Sequence, residues 1–290
     1  MSQAVPAGSP GPPSLPVAMQ AGLTGLRDAL HAEWTKLRTT AGPAWLLAAT
    51  VVLTVAVSAA ATAAVRCPAG TACPVDTTKL SLTGIQCGQA VVAILAGLAI
   101  SGEYSSGMMR TTLTAMPRRT TVLAAKAAIV GGLVLAAGTA GVLGSVLAGR
   151  LILPGHGFTA AHGFTAARGF PLLSLGDGPT LRAAAGSVLY LGLIALLSLG
   201  IATAIRDSAV TIGVVLGLLY LSPLIAQAVS NPQWHRHLEQ AGPMTAGLAI
   251  QATTGLRGLP IQPWAGLGVL AAWSAAALII GGLLLRLRDA

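Results

Sequence analysis

Six stretches of this 290-residue chain carry no Asp, Glu, Lys or Arg, at 44–65, 82–100, 127–149, 183–205, 209–229 and 265–285. Each is about 20 residues long, which at about 1.5 Å per helical residue matches the roughly 30 Å hydrocarbon core of a bilayer. The runs are continuous rather than alternating, so helices are expected and a barrel is not. Residues 54% hydrophobic and 9% charged fit the same reading, because a soluble domain carries about 25% charged residues. An all-α integral membrane protein with six transmembrane helices is therefore expected, in one six-span domain over 22–290.

The net charge of +9 then belongs at membrane edges facing anionic headgroups. A nucleic-acid partner is not expected, since no soluble face is left to carry a basic cluster. Arg27, Lys36, Arg38, Arg110, Arg118, Arg119, Lys126, Arg206, Arg286 and Arg288 fall on one side of the spans. Arg66, Lys79, Arg150, Arg168, Arg182, Arg236 and Arg257 fall on the other, in longer loops. The positive-inside rule places the first set, and with it both termini, in the cytoplasm. A composition rich in Ala and Gly, with Arg above Lys, points to a GC-rich bacterial genome and so to a multi-pass protein of the bacterial plasma membrane.

The most informative loop is S-G-E-Y-S-S-G-M-M-R-T-T-L-T-A-M-P-R-R-T-T-V-L-A-A-K, residues 101–126. Ser105 and Ser106 suit a helix start and Pro117 a helix stop. Between them Met108, Met109, Thr112, Leu113 and Met116 recur at three- and four-residue spacing, with Arg110 on the other side. This describes a short amphipathic helix between two spans, followed by Arg118 and Arg119. A methionine-rich face adapts to a partner's groove, so docking to another protein is expected here. Glu103 closes the second span. It is expected either to pair with Arg110 or a neighbouring arginine, or to act as a hinge between span and docking helix.

Residues 1–21 are uncharged and rich in Pro, Gly, Ser and Ala over most of their length, without signal-peptide features, and are expected to be a disordered tail. Over 22–40, Leu23, Leu26, Leu30, Trp34 and Leu37 form a helical stripe, with Arg27, Asp28, His31, Glu33, Lys36 and Arg38 off it. This reads as an interfacial amphipathic helix leading into the first span, with Trp34 at headgroup level.

In the outward loops, Cys67 and Cys73 bracket C-P-A-G-T-A-C and suit a small disulfide loop, while Cys87 inside the second span suits packing. H-G-F-T-A-A occurs twice between His156 and Phe170, a local duplication in a tolerant loop. Residues 244–259 are too short to span and too apolar for an ordinary loop, which suggests a re-entrant or interfacial segment. His235 and His237 lack a third ligand nearby, so no metal site is expected. Gly84/Gly88 and Gly213/Gly217 are G-x-x-x-G pairs that would let helices approach closely.

No G-x-x-x-x-G-K-[ST], H-E-x-x-H or G-x-S-x-G occurs, so the chain is expected to bind no nucleotide and to catalyse no covalent step. Ionisable groups are missing from the middle of every span, which argues against an ion-coupled transporter. A non-transporting scaffold or sensor subunit is the main alternative. A membrane-embedded enzyme is the other, with Ser145, Ser187, Ser198 and Tyr190 as the polar span residues to test.

H-A-E-W-T-K-L-R-T-T (31–40) and I-S-G-E-Y-S-S-G-M-M-R-T-T-L-T-A-M-P-R-R (100–119), set around six spans, resemble the ABC type-2 transporter permeases over nearly the whole chain. The resemblance implies a type V exporter-like transmembrane domain. By it, Glu103, Gly107, Arg110, Leu113 and Pro117 take the family's places at the end of the second span and in its coupling helix. Met109, Met116 and Arg118 complete the face that would meet an ATPase subunit. The family often has threonine after the glycine, where this chain has Met108. Leu30, Trp34, Lys36, Leu37 and Arg38 would belong to the connecting helix. The resemblance further implies a second permease copy or paralogue, two separately encoded ATPase subunits that bind ATP and Mg, and efflux of an amphipathic or hydrophobic compound.

Overall fold

The computed structural model describes residues 17–67, 75–105, 107–108, 119–156, 158 and 173–288. The described residues form helices and connecting turns, with no strand among them. Six helices are long and apolar enough to cross a membrane. In chain order the α-helices are α1 (Val17–Thr39), α2 (Ala41–Ala64), α3 (Thr77–Ser81), α4 (Ile85–Ser105) and α5 (Arg119–Ile152), then α6 (Gly178–Ile205), α7 (Ser208–Ala228), α8 (Pro232–Ala241), α9 (Pro243–Leu248) and α10 (Pro263–Arg288). The spans are α2, α4, α5, α6, α7 and α10.

Two boundaries differ from the sequence expectation for physical reasons. Helix α1 begins at Val17, inside the stretch expected to be a tail. Helix α5 begins at Arg119 and runs for 34 residues, although hydropathy starts this span at 127. Hydropathy stops at the charge of Lys126, whereas that ammonium is buried against carboxylates and the helix continues through it. A helix of this length is about 51 Å long, well over the roughly 30 Å apolar core, so α5 must project beyond the hydrocarbon.

Helix α6 is the hub, packing against α4, α5 and α10. Tyr190, Leu191, Ile194 and Leu197 of α6 are fully enclosed. By contrast α2, α7 and α10 are largely unburied along their lengths. Leu221, Ile225, Ile279, Ile280 and Leu283 point outward from α7 and α10, as lipid-facing side chains must.

The inward face of α2 is a polar stripe: Thr50, Thr54, Ser58 and Thr62, four residues apart, are its buried positions. Three of the hydroxyls bond back to their own helix, Thr50 to the Leu46 carbonyl at 2.9 Å, Thr54 to Thr50 at 2.6 Å and Thr62 to Ser58 at 3.0 Å. They therefore meet apolar neighbours without leaving a donor unsatisfied. The Ser58 hydroxyl accepts the Gly84 N–H at 3.1 Å. Gly84 is needed there, because a Cβ at that position would lie 2.0 Å from the Thr54 carbonyl oxygen. The second G-x-x-x-G behaves otherwise, since added Cβ atoms at Gly213 and Gly217 would meet nothing within 4 Å.

At one end of the bundle the apolar stretch after α8 folds inward. It comprises α9 and 3-10 turns at Ala249–Gln251 and Leu256–Gly258, and it buries Met244, Leu248, Ile250 and Gln251 against α6, α7 and α10. Asp76 anchors it. One carboxylate oxygen accepts the Thr253 and Thr254 N–H groups at 2.6 and 3.1 Å, and the other accepts the Thr253 hydroxyl at 2.7 Å and the Lys79 N–H at 3.0 Å. Removing that carboxylate in Asp76→Ala strips four hydrogen bonds at once. Faster amide exchange across 249–254, with α2 unchanged, is the expected result.

Cys67 is disulfide-bonded and Cys87 is a free thiol; Cys73 lies outside the described residues. So does most of the repeat after His156. His235 meets the Ala226 carbonyl at 2.7 Å and lies 3.3 Å from the Glu239 carboxylate, while His237 stands edge-on to the Trp234 ring. Among the described residues no group of three His, Cys, Asp or Glu could hold a metal ion.

Candidate functional site: a ring of four charges

The end of the bundle opposite Asp76 holds a cluster of four charged side chains. Lys126 of α5 donates to Glu33 Oε2 of α1 at 2.6 Å and to Glu103 Oε1 of α4 at 2.9 Å. Lys36 of α1 donates to Glu33 Oε1 at 3.1 Å and to the same Glu103 oxygen at 2.9 Å. The four side chains close a ring of alternating sign with no net charge. Three of them are almost sealed from solvent, at 4% exposure for Lys126, 5% for Glu33 and 7% for Glu103, whereas Lys36 is 33% exposed. The ring thus has one wet corner and three dry ones.

Each corner follows from local sequence. Glu33 lies off the apolar stripe of α1, yet it and Ala29 are buried on the face that packs against α5, while Trp34 is 46% exposed. The exposed Trp34 leaves that side chain free for the membrane interface. Glu103 sits in the last turn of α4. Past it the chain turns through Gly107, at φ +73°, in the left-handed region that a helix terminus takes most easily with glycine. Lys126 lies two turns into α5.

Burial pulls the Lys36 ammonium toward a lower pKa, but the carboxylates of Glu103 and Glu33 outweigh it, and the group is held above its ordinary 10.5. A raised lysine pKa contributes stability in full below the unfolded value, and loses it only as pH rises through the higher folded value. The wet corner therefore stays charged from mildly acidic through mildly alkaline pH.

Two further contacts bind the turn between α6 and α7 to this end. The Ser208 and Ser101 hydroxyls meet at 2.9 Å, and the Arg206 guanidinium stands 5.0 Å over the Tyr104 ring. Arg206 itself takes a left-handed conformation at φ 66°, which ends α6 in two residues before Asp207 caps α7 through the Val210 N–H at 2.8 Å. Beside the ring a cavity of about 260 Å³ opens between α2, α4 and α5, walled by Leu46, Leu47, Leu95 and Val130.

Of the residues singled out from sequence, the structure brings Glu103 and Lys36 together and places Gly107 just past the end of α4. Leu30 is half-buried, and Trp34 and Arg38 are exposed. Met109, Arg110, Leu113, Met116, Pro117 and Arg118 lie outside the described residues, as does the Leu37 side chain. Glu103 meets Lys36 and Lys126, and the Arg110 expected beside it lies outside the described residues. Sequence reasoning missed Glu33 and Lys126 as partners. The available signal was a charge within one or two turns of a span's end on each of three elements.

Three of the four polar span residues weighed for an enzyme have hydrogen-bond partners, and the buried Ser198 hydroxyl has none among the described residues. Ser145 reaches the Thr54 carbonyl at 3.4 Å, Ser187 receives the Gln251 amide at 3.2 Å, and the Tyr190 hydroxyl donates to Gln89. Ser198 is fully buried in α6.

No protein-family model matches the chain, and no curated protein matches it.

Proposed function

We propose that this chain is the membrane permease subunit of an ABC type-2 exporter. The observation that carries the reading is the charge ring. It fastens both stems of the 106–118 loop, through Glu103 before it and Lys126 after it, to the helix that leads into the first span. A push on that loop would reach α1, α4 and α5 together as a rigid-body displacement. The buried pairs resist being pulled apart, because separation strands a charge in a low-dielectric site.

In this reading both termini are cytoplasmic, the protein lies in a bacterial plasma membrane, and 106–118 docks a separately encoded ATPase that binds ATP and Mg. A second copy or a paralogue completes the pathway. The cargo is an amphipathic or hydrophobic compound, and the chain performs no covalent chemistry.

The test is co-purification. The expected outcome is that an ATPase accompanies the wild-type chain from native membranes and is lost from Leu113→Arg, which would place a charge in the middle of the docking face. If the wild type brings down no ATPase, or if Leu113→Arg retains it fully, the chain is better described as a scaffold or sensor subunit.

A further inference from the structure

At the end of the bundle away from the charge ring, a cavity of about 490 Å³ opens between the start of α4, the end of α7 and the inward-folded segment after α8. Its size falls within the range of small-molecule sites. We infer that it binds an amphipathic molecule without net charge, taking the hydrogen-bonding head among Gln86, Tyr220 and Gln251 and the apolar part against Leu224, Leu248 and Ile261. As a cargo site, this rests on the permease reading; the binding itself does not.

The wall chemistry sets the head group. Gln86 and Gln251 each bear an amide, which can both donate and accept, as hydroxyls or amides of a ligand require. Gln251 is 1% exposed, and its amide nitrogen donates to Ser187 of α6 at 3.2 Å, which fixes its direction. The Tyr220 hydroxyl donates to the Gln86 backbone carbonyl. Behind the wall, fully buried Gln89 receives the Tyr190 hydroxyl and donates to the Met244 sulfur at 3.2 Å. Packing alone gives no reason for this set. Apolar side chains would fill the same space without polar groups that must be satisfied at membrane depth.

The charges argue against an ion. The two charged residues that line the cavity are Lys79 and Glu239, of opposite sign, so neither a cation nor an anion gains a net attraction. Deeper in, the wall offers amides, a phenol and apolar groups.

The experiment uses the full chain in phosphatidylcholine nanodiscs and three photoreactive probes with one diazirine-bearing dodecyl tail. The heads are neutral (N-dodecylgluconamide), cationic (dodecyltrimethylammonium) and anionic (dodecyl sulfate). The expected result is saturable labelling of the 220–227 and 244–261 peptides by the neutral probe, competed by its unlabelled form and at least about fivefold above either charged probe. That ratio corresponds to roughly one hydrogen bond. Gln251→Leu should lower it about fivefold. Leu224→Trp, at an exposed position on the cavity wall, should lower it similarly without touching the buried core. Labelling that does not saturate, that ignores the head group, or that survives Leu224→Trp unchanged would overturn the inference. A chain that binds the neutral probe but recruits no ATPase would refute the permease reading alone. One that recruits the ATPase but is not labelled would refute the cavity alone.

Discussion

Replacing Lys126 with methionine is expected to destabilise the protein by about 3–5 kcal/mol, the usual cost of removing one partner from a buried ion pair. Methionine keeps the length of the side chain, so little of the loss would come from packing. The loss would come from Glu33 and Glu103, which face the vacated position from α1 and α4 and are both nearly sealed from solvent. Lys36 would then face both carboxylates from a corner that is a third exposed. The double variant Glu33→Met/Lys126→Met should recover most of the stability. It leaves the 2.9 Å Lys36–Glu103 pair intact and replaces the other pair with apolar groups of similar size, an exchange that is often neutral. Unfolding in detergent, followed by near-ultraviolet signal against denaturant, reads both variants. A double variant as weak as the single one would mean that the position matters for packing and not for charge.

The second large effect is expected at Gly84. Leucine there would drive a Cβ toward the Thr54 carbonyl oxygen at 2.0 Å and the Ser58 nitrogen at 2.9 Å. Both are backbone atoms of α2 and cannot swing aside as a side chain would. The close approach of α2 to the start of α4, with its Gly84-to-Ser58 hydrogen bond, would have to open. Overpacking of this kind costs about 1–3 kcal/mol where the surroundings can adjust, and a rigid pair of helix backbones places the cost at the upper end. Gly213→Leu is the matched control, with open space around the added side chain, and should unfold at the wild-type temperature. Equal losses in the two variants would show that the approach of α2 to the start of α4 does not govern the outcome.

That contrast marks the limit of the sequence. Both pairs read as G-x-x-x-G in an apolar run, and the spacing cannot say which helix face meets a neighbour. The six spans themselves were legible, because a bilayer requires about 20 predominantly apolar, uncharged residues, and the other long uncharged run, at the N-terminus, is broken by Pro, Gly and Ser. The ring was legible only in part. Glu103 stood out by position, but Glu33 was assigned to the solvent side of α1, since periodicity treats every charge as exposed. Its partner Lys126 is 93 residues away, and no local pattern reports a contact over that separation. Gln89 and Gln251 escaped for another reason. A hydropathy window averages a single amide into its apolar neighbours, so a buried polar residue at membrane depth leaves almost no trace.

In the proposed permease the ring transmits movement between the 106–118 loop and the spans. Lys36→Met tests it most directly, because the exposed corner can be removed at small cost in stability while α1 loses one of its two links to Glu103. The measurement is ATPase turnover by the co-purified complex, read beside the amount of ATPase retained. The account expects retention within about twofold of wild type and a fall in turnover of about tenfold, equivalent to roughly 1.4 kcal/mol of lost coupling. Turnover that stays at the wild-type level, or that falls only in step with retention, would contradict it.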